Sequence, residues 1–247
     1  MNERHTVPPD VREGAGRSRR ALHGRRKGRP LRPRRATLVE TLLPTLELTV
    51  AGDSREPVDP AGWFLPPVAE IWLEIGFGAG EHLAWQARHH PEIGFVGCEP
   101  FLNGVARLLS DIDACGLTNI RIFRDDARML IARLADASIA RAFVLFPDPW
   151  PKMRHHKRRI IGPATMPQLA RVLRDGAELR VATDVADYQG WILQYVLAGG
   201  AFRWPARRPS DWRERPADWP ATRYETKAAE AGRHAAFFRF TRVPRPG

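Results

Sequence analysis

The sequence predicts an α/β protein with a doubly wound, mostly parallel sheet and helices on both faces. From about residue 69 onward, short apolar runs alternate with stretches whose apolar residues recur at three- and four-residue spacing. Runs of the first kind are typical of buried strands and stretches of the second kind of amphipathic helices, and their regular alternation indicates βαβ units. In such a sheet, ligands bind beyond the carboxyl ends of the strands.

Five apolar runs are predicted to be parallel strands, and a run near the C-terminus is predicted to be a further strand. The strands are expected at 70–75, 93–98, 119–123, 140–146, 177–183 and 236–241. The helices are expected near 80–90, 101–115, 127–135, 164–174 and 185–198. Before the first strand, the segment LVETLLPTLELTV (residues 38–50) is interrupted by Pro44, and we expect it to pack across an edge of the sheet.

Length and composition limit the class of protein. The chain has 247 residues, of which 43% are hydrophobic, enough for one sizeable core. No apolar run approaches the roughly 20 residues that span a bilayer, and the N-terminus lacks the apolar segment of a signal peptide, so we expect a cytoplasmic protein without a membrane partner. Cys98 and Cys115 are too few for a disulfide framework and form no CxxC zinc motif, so no metal site is expected.

Positive charge is concentrated in the first 37 residues. This segment contains twelve Lys or Arg and three Asp or Glu, a net charge of +9 out of +11 for the whole chain. It is poor in large apolar side chains, so we expect residues 1–37 to be a tail that is disordered alone, and residues 38–247 to form a single domain. A polyanion-binding arm is favoured over a solubilising extension. Pro and Gly interrupt the amphipathic helix that a mitochondrial presequence needs.

The first predicted strand runs into LEIGFGAGEHL, residues 73–83. Gly76, Gly78 and Gly80 would let the backbone turn tightly and approach a ligand where a Cβ would clash. Dinucleotide enzymes carry GxGxxG at this place, but here Glu81 stands where their third glycine falls. Glu74 would repel a pyrophosphate and suits a ligand with an ammonium or sulfonium charge. The loop therefore favours S-adenosylmethionine over NAD as the cofactor.

Carboxylates follow the next two strands. Glu99 lies 23 residues after Gly76, where a carboxylate accepts hydrogen bonds from the two ribose hydroxyls of a nucleotide. The third strand is followed by RDDAR, in which Asp126 is favoured over Asp125 as the acceptor for the adenine amine. The structural alternatives are a surface acid that caps the following helix for Glu99 and a helix N-cap for Asp126.

The fourth strand leads into FPDPWPKMRHHKRR, residues 146–159. The prolines on either side of Asp148 restrict its backbone and hold the carboxylate stiffly at the strand end. Trp150 could stack on a planar base or form a wall of the pocket. The dense Lys, Arg and His residues that follow are expected to contact phosphates rather than merely to solvate a surface. This block therefore predicts a nucleic-acid substrate next to the cofactor.

Five motifs, LEIGFGAGEHL, GCEP, FPDPWPKMRHHKRR, VATDVADY and TRYE, occur in an order and at a spacing that closely resemble those of the bacterial tRNA (guanine-N7-)-methyltransferases. The resemblance spans roughly residues 38–243 and leaves the tail out. It implies the Rossmann-like class I methyltransferase fold, S-adenosylmethionine as cofactor, and methylation of guanine 46 in the variable loop of tRNA, without a metal. Two positions depart from the family pattern: Met153 replaces a frequent basic residue, and Arg223-Tyr224 replaces a frequent Lys-Phe.

The resemblance also implies residue roles. Asp148 would be the catalytic residue. The cofactor would contact Glu74, Gly76, Gly78, Gly80, Glu99, Asp126 and Asp148. The tRNA substrate would contact Lys152, Asp184, Thr222, Arg223, Tyr224 and Glu225, and the RNA would lie along Arg154, His155, His156, Lys157, Arg158 and Arg159. Without the resemblance, Asp184 could equally be the N-cap of the 185–198 helix and Glu225 part of a loop salt bridge.

Two other classes of function share part of this pattern. An NAD-dependent oxidoreductase would have the same fold and Glu99, but the GxGxG loop with Glu74 and the basic block argue against it. A non-catalytic RNA-binding protein would explain the charge but would not need acids at successive strand ends. Trp204, Trp212 and Trp219 are assigned to packing. The sequence leaves open whether the protein is a monomer or a homodimer.

Overall fold

The computed structural model describes residues 26–50 and 56–245. Within these ranges, seven strands form one sheet in the order β3-β2-β1-β4-β5-β7-β6. The strands are β1 (Glu70–Ile75), β2 (Ile93–Cys98), β3 (Ile120–Phe123), β4 (Ile139–Leu145), β5 (Leu173–Thr183), β6 (Phe202–Arg203) and β7 (Ala236–Arg242). β1 to β5 pair in parallel, and β7 pairs antiparallel with β5 and β6. The predicted doubly wound, mostly parallel sheet is confirmed.

Helices cover both faces of the sheet. They are α1 (Pro33–Thr41), α2 (Leu43–Leu46), α3 (Glu81–His89), α4 (Leu102–Cys115), α5 (Ala127–Ile131), α6 (Met166–Val172), α7 (Ala186–Leu197), α8 (Ser210–Arg213) and α9 (Arg223–Glu230), with 3₁₀ turns at Pro60–Trp63 and Met153–Arg158. The five predicted crossover helices are present. α5 ends before the predicted residue 135 because the chain leaves the helix to pair with Val58, whose amide donates to Arg133 and whose carbonyl accepts from Ala135.

The folded part of the chain begins earlier than residue 38. α1 starts at Pro33, a residue suited to the first turn of a helix. The segment before it is bonded to α4, since the Gly28 amide donates to the side chain of Asn103 (2.7 Å) and the Leu102 amide donates to the carbonyl of Arg26 (2.9 Å). The expectation that residues 1–37 form a disordered tail is therefore corrected for residues 26–37, which are held by contacts with α4. Residues 1–25 lie outside the described structure.

The segment 38–50 packs across a sheet edge, as predicted. The amide of Leu48 donates to the carbonyl of Ile122 (2.7 Å), and Glu47 forms a parallel bridge with the same residue, on the edge strand β3. Leu43 and Leu46 of this segment are buried. The segment thus covers backbone groups that an exposed edge strand would leave unpaired.

The side chains of β1 alternate between the two faces of the sheet, and this decides which layer of helices each one packs against. Ile71, Leu73 and Ile75 belong to the core beneath α5, α6 and α7, whereas Trp72 belongs to the core beneath α3 and α4. Because side chains alternate along a strand, Glu74 shares the face of Trp72. The strand order reverses between β1 and β4, so the carboxyl ends of β1 to β4 surround the switch point at which doubly wound sheets bind ligands.

The N-terminal part of α4 touches the glycine loop after β1. A Cβ added to Gly104 would lie 2.1 Å from the carbonyl oxygen of Gly78, a distance that no real Cβ contact reaches. At the other end of the loop, Gly80 has a φ of +80°, and a Cβ there would lie 2.7 Å from Leu108 of the same helix. The lack of side chains at both positions therefore sets how closely α4 approaches the loop.

Gly104→Ala is predicted to destabilise the fold. The new methyl group has backbone rather than a flexible side chain in its way, and overpacking of this kind typically costs about 1–3 kcal/mol. Gly190→Ala in α7 is the matched control, because a Cβ there meets nothing within 4 Å. Since Ala is favoured over Gly inside a helix by roughly 0.5–1 kcal/mol, this second variant should be more stable than wild type. Denaturant unfolding measures both, and equal stability of the two variants would contradict the prediction.

Candidate active site

A cavity of about 420 Å³ lies at the carboxyl ends of the parallel strands. Residues from all four strand-end segments around the switch point line it. Those that the sequence singled out are Gly76, Gly78, Glu99, Asp125, Asp126, Asp148, Trp150, Arg158 and Arg223. The structure therefore brings together most of the predicted cofactor residues, the predicted catalytic carboxylate and two of the predicted RNA-binding residues. Gly80, Lys152, Asp184 and Glu225 do not line this cavity.

Glu99 connects the end of β2 to the glycine loop. One of its carboxylate oxygens accepts a hydrogen bond from the Gly78 amide (2.8 Å), and the other accepts one from the Phe101 amide (2.9 Å). Burial raises the pKa of Glu99 above its ordinary value, the neighbouring Asp148 carboxylate acts in the same direction, and the two amide donors oppose the shift. Each oxygen keeps a lone pair, so Glu99 can accept two further hydrogen bonds from a ligand in the cavity.

Asp125 and Asp126 form the next wall. Asp126 is the N-cap of α5, which was the alternative to adenine binding that the sequence offered for it. Its carboxylate accepts hydrogen bonds from the Arg128 amide (3.0 Å) and from the Arg128 guanidinium (3.0 Å). Asp125 accepts from the Asp126 amide (2.8 Å) and from the guanidinium of Arg26 (3.2 Å). Because both carboxylates line the cavity, capping and ligand binding are compatible roles for Asp126.

Glu74 does not line the main cavity; it lines a smaller space of about 20 Å³ together with Glu81, His82 and Thr222. It is buried, and its carboxylate lies 2.7 Å from Nδ1 of His82. The side-chain amide of Gln86 lies 3.2 Å from Nε2 of His82 and donates to the carbonyl of Asp218 (2.9 Å). Since that amide nitrogen is a donor, Nε2 accepts and Nδ1 carries the hydrogen that is donated to Glu74.

Asp148 lies in a strained turn. Phe146 and Trp150, which flank the Pro-Asp-Pro sequence, have φ values of 49° and 43°. A non-glycine residue in this region costs about 1–3 kcal/mol and persists only when the surrounding structure holds it. The Asp148 side chain is exposed and lines the cavity, and none of the described residues donates a hydrogen bond to it. Trp150 forms part of the cavity wall, with the Arg158 guanidinium 4.9 Å from its ring centroid.

The basic run after Asp148 does not present one uniform face. Lys152, Arg154 and Lys157 are exposed, whereas His155, His156 and Arg158 are half-buried. Arg159 is a correction to the predicted RNA-contacting set, because its side chain is fully buried. Its guanidinium donates to the Pro149 carbonyl (2.7 Å) and pairs with Asp187. The side chain of Arg159 is therefore not available to an RNA strand in this structure.

The remaining predicted substrate residues differ in whether they line a cavity. Thr222 lines the smaller space and is the N-cap of α9, and Arg223 lines the main cavity and donates its amide to Glu81 (3.1 Å). Asp184 pairs with Arg233 (2.7 Å), and Glu225 pairs with Arg215 (3.1 Å). The alternative of a salt bridge thus holds for Glu225, although this residue lies in α9 and not in a loop. The alternative of an N-cap is wrong for Asp184, because α7 begins after Val185 and has no side-chain cap. The side chain of Tyr224 lies outside the described structure.

Sequence reasoning missed three features of the site. His82 and Gln86 bond to Glu74 and to each other, but the sequence treated their helix only as a crossover element. Arg128 joins Asp126 to the carbonyl of Arg158 (2.9 Å), a contact between distant segments that leaves no local signal. α9 was also missed, although Thr222-x-x-Glu225 matches the capping-box pattern that marks a helix start.

The tryptophans that the sequence assigned to packing are confirmed in that role. Trp219 is 1% exposed, and its ring lies 5.5 Å from that of Phe237. Trp204 and Trp212 pack against Phe238. Among residues 26–50 and 56–245, no helix is long and apolar enough to cross a membrane, and no group of three or more His, Cys, Asp or Glu side chains could hold a metal ion.

Comparison with known proteins places the chain in a family. A family model described as "Putative methyltransferase" matches residues 68–238. The tRNA (guanine-N(7)-)-methyltransferase of Rhodospirillum rubrum is 54% identical over 225 residues, which are 91% of this chain and 88% of that protein. The enzyme of the same name from Nitrobacter hamburgensis is 46% identical over 237 residues, 96% of this chain and 91% of that protein.

Among solved structures, the 16S rRNA (adenine(1408)-N(1))-methyltransferase from Catenulisporales acidiphilia is similar over 72% of this chain and 90% of that one. Its sequence identity is 18% and the TM-score is 0.48. The family model spans the chain from just before β1 to the first residues of β7. The matches to the two curated relatives cover 91% and 96% of the chain at 54% and 46% identity. The chain therefore belongs to the bacterial tRNA (guanine-N(7)-)-methyltransferase family.

Proposed function

We propose that this protein transfers a methyl group from S-adenosylmethionine to N7 of guanine 46 in the variable loop of tRNA. The observation that carries the proposal is the position of Asp148, which lies on the wall shared by a carboxylate-lined cavity and an exposed basic segment. The names of the curated relatives support tRNA as the substrate and N7 of guanine as the target. A cytoplasmic location, as a monomer or a homodimer, is part of the same proposal.

The residues of the cavity fit S-adenosylmethionine. Gly76 and Gly78 have φ values of +73° and +58°, so the loop backbone can approach the ligand without a Cβ in the way. Glu99 would accept from the ribose hydroxyls, and Asp126 would accept from the adenine amine. Glu74, buried behind the loop, adds negative charge next to the cationic end of the cofactor. A lining so rich in carboxylates suits a cationic ligand and would repel the pyrophosphate of NAD.

When bound, the cofactor supplies a methyl group on a sulfonium, and transfer to guanine moves the positive charge from the sulfur to the purine. N7 exposes a lone pair, so no proton has to be removed before attack. Asp148 is therefore assigned to positioning: its carboxylate would accept hydrogen bonds from N1–H and the exocyclic amine of guanine and would favour the cationic product. Alignment of this kind can supply about 7–11 kcal/mol of the rate enhancement.

The RNA would approach along the exposed side of the basic segment. Lys152, Arg154 and Lys157 are exposed and can neutralise phosphates. His155, His156 and Arg158 are half-buried, and Arg158 lines the cavity. Thr222 and Arg223 reach the cavities from the opposite rim. Asp184 and Glu225 would contact the substrate by exchanging their present partners, Arg233 and Arg215, and Tyr224 belongs to the same proposed set. The basic residues before Arg26 would add a further arm along the RNA.

The first prediction from the proposed function concerns the methylated tRNA product. Incubation with labelled S-adenosylmethionine and an unmodified tRNA transcript should give label in the RNA, and borohydride reduction followed by aniline should cleave it at guanine 46, because this treatment cuts at N7-methylguanine. A transcript with adenine at position 46 is the matched control and should not be cleaved there. Cleavage at another guanine would change the target, and labelled RNA without cleavage would rule out N7.

The second prediction concerns Asp148. Asp148→Ala should abolish methyl transfer, a loss of at least about 100-fold, because two hydrogen bonds to a charged group are worth about 1.5–3 kcal/mol each. The affinity for S-adenosylmethionine should stay within about tenfold, or 1.4 kcal/mol. Asp148→Asn preserves the shape but donates where the carboxylate accepts, and it should be similarly inactive. Single-turnover transfer and calorimetric titration separate the two effects, and normal methylation by either variant would remove Asp148 from the mechanism.

The third prediction concerns the pH dependence of cofactor binding. Glu99 accepts as a carboxylate, and burial raises its pKa above the ordinary 4.5. The affinity for S-adenosylmethionine should therefore be fully present above this raised pKa and be lost as the pH falls through it, at a higher pH than for an exposed glutamate. Glu99→Gln should bind about 10–100-fold more weakly at neutral pH and lack this acid loss. Calorimetric titration with S-adenosylmethionine tests this prediction over the pH range in which circular dichroism shows a folded protein. If Glu99→Gln lost affinity at low pH as wild type does, the prediction would be contradicted.

A further inference from the structure

Arg159 is the last cation of the basic run, and it differs from its neighbours in direction. Its side chain is fully buried, whereas Arg154 and Lys157 are exposed. A buried guanidinium requires partners for its charge and for its donors. The partners of Arg159 therefore indicate what it does in place of contacting RNA.

Those partners come from two separate parts of the site. The Nε of Arg159 donates to the carbonyl of Pro149 (2.7 Å), and the end of the guanidinium pairs with the carboxylate of Asp187. The guanidinium carbon lies 4.9 Å from the ring centroid of Tyr188 and 4.6 Å from that of Trp191, distances at which cations and aromatic rings attract. Arg159 thus joins α7 to the turn that contains Asp148.

The turn needs such a contact. Its flanking residues Phe146 and Trp150 both have a positive φ, and a strained backbone keeps its shape only when the surroundings hold it. The carbonyl that Arg159 binds belongs to the residue directly after Asp148. Arg128 holds the other side of the same segment, because its guanidinium donates to the carbonyl of Arg158 (2.9 Å) while bonded to Asp126 (3.0 Å).

We propose that Arg159 is a positioning residue for methyl transfer: through the Pro149 carbonyl it holds Asp148 toward the cavity, and it does not bind a phosphate of the tRNA. This inference rests on the proposed function, since it assigns Arg159 a part in that reaction. It separates two neighbouring arginines by role, with Arg158 facing the cavity and Arg159 fixing the backbone.

Arg159→Lys tests the proposal against Arg154→Gln as the matched change in an exposed cation of the same run. Lys keeps the charge, but its single ammonium group cannot bond to both the Pro149 carbonyl and the Asp187 carboxylate as the separate nitrogens of the guanidinium do. We expect Arg159→Lys to lower kcat at saturating tRNA at least about tenfold, with kcat normalised to the fraction of protein that binds S-adenosylmethionine. In Arg159→Gln, which removes the charge as Arg154→Gln does, the salt dependence of tRNA binding should equal that of wild type.

Arg154→Gln, the matched variant, should change the salt dependence of tRNA binding. Loss of one phosphate contact in Arg154→Gln should reduce the slope of log K against log salt concentration by about 0.7–0.9. The same reduction in Arg159→Gln, or an unchanged kcat in Arg159→Lys, would overturn the proposal. A merely structural role would lower the fraction of protein that binds S-adenosylmethionine and leave the normalised kcat unchanged, which would also overturn it.

Asp187→Asn keeps the guanidinium in place and weakens its anchor, so it decides the question if Arg159→Lys does not fold. We expect a reduction of kcat of about three- to tenfold with an unchanged salt slope, and a wild-type kcat would overturn the proposal. The activity of the wild-type protein distinguishes a failure of the positioning role from a failure of the proposed function. If wild type transfers no methyl group to tRNA, the proposed function fails, whereas an active wild type with an equally active Arg159→Lys or Asp187→Asn refutes only the positioning role.

Discussion

The site depends on one constraint: Asp148 must remain at the mouth of the cavity next to many cations without being neutralised by them. The structure meets this constraint by giving the nearby cations other partners. Arg128 bonds to Asp126 and Arg159 pairs with Asp187, while Arg158 lies over the ring of Trp150. In the described part of the chain, no donor reaches the Asp148 carboxylate, so its oxygens are available for the hydrogen bonds to guanine that we propose.

The same constraint explains the electrostatics of the cavity. Glu99, Asp125, Asp126 and Asp148 all line it, and burial together with the nearby Asp148 charge raises the pKa of Glu99. Such an arrangement is unfavourable when empty and becomes favourable around a ligand that carries positive charge. In methyl transfer the charge passes from the sulfonium to the purine and stays within the reach of these carboxylates. The lining therefore suits the product of the reaction as well as the cofactor.

Most of the fold could be predicted from the sequence because its signals are local. β1 and β2 have the predicted bounds, since each is a mostly apolar run, ended by Gly76 in one case and by Glu99 in the other. The cavity lining at Gly76, Glu99 and Asp126 followed from their places at strand ends. The direction of Arg159 could not be predicted, because adjacent arginines look alike in the sequence and the deciding partner, Asp187, lies 28 residues further on. The ordering of residues 26–32 likewise depends on Asn103 and Leu102 of a helix far along the chain.

The ion pairs around the site differ in how readily RNA could replace them. The pairs Asp184–Arg233 and Glu225–Arg215 each contain an arginine with at least a third of its side chain exposed, and exposed pairs contribute only about 0–1 kcal/mol. In the proposed complex, an RNA phosphate would therefore take either arginine at little cost and release the carboxylate toward a base. Arg159 is fully buried, and removing its partner would leave an uncompensated buried charge. In the proposed complex, these two ion pairs would thus rearrange, while the backbone that carries Asp148 would keep its position.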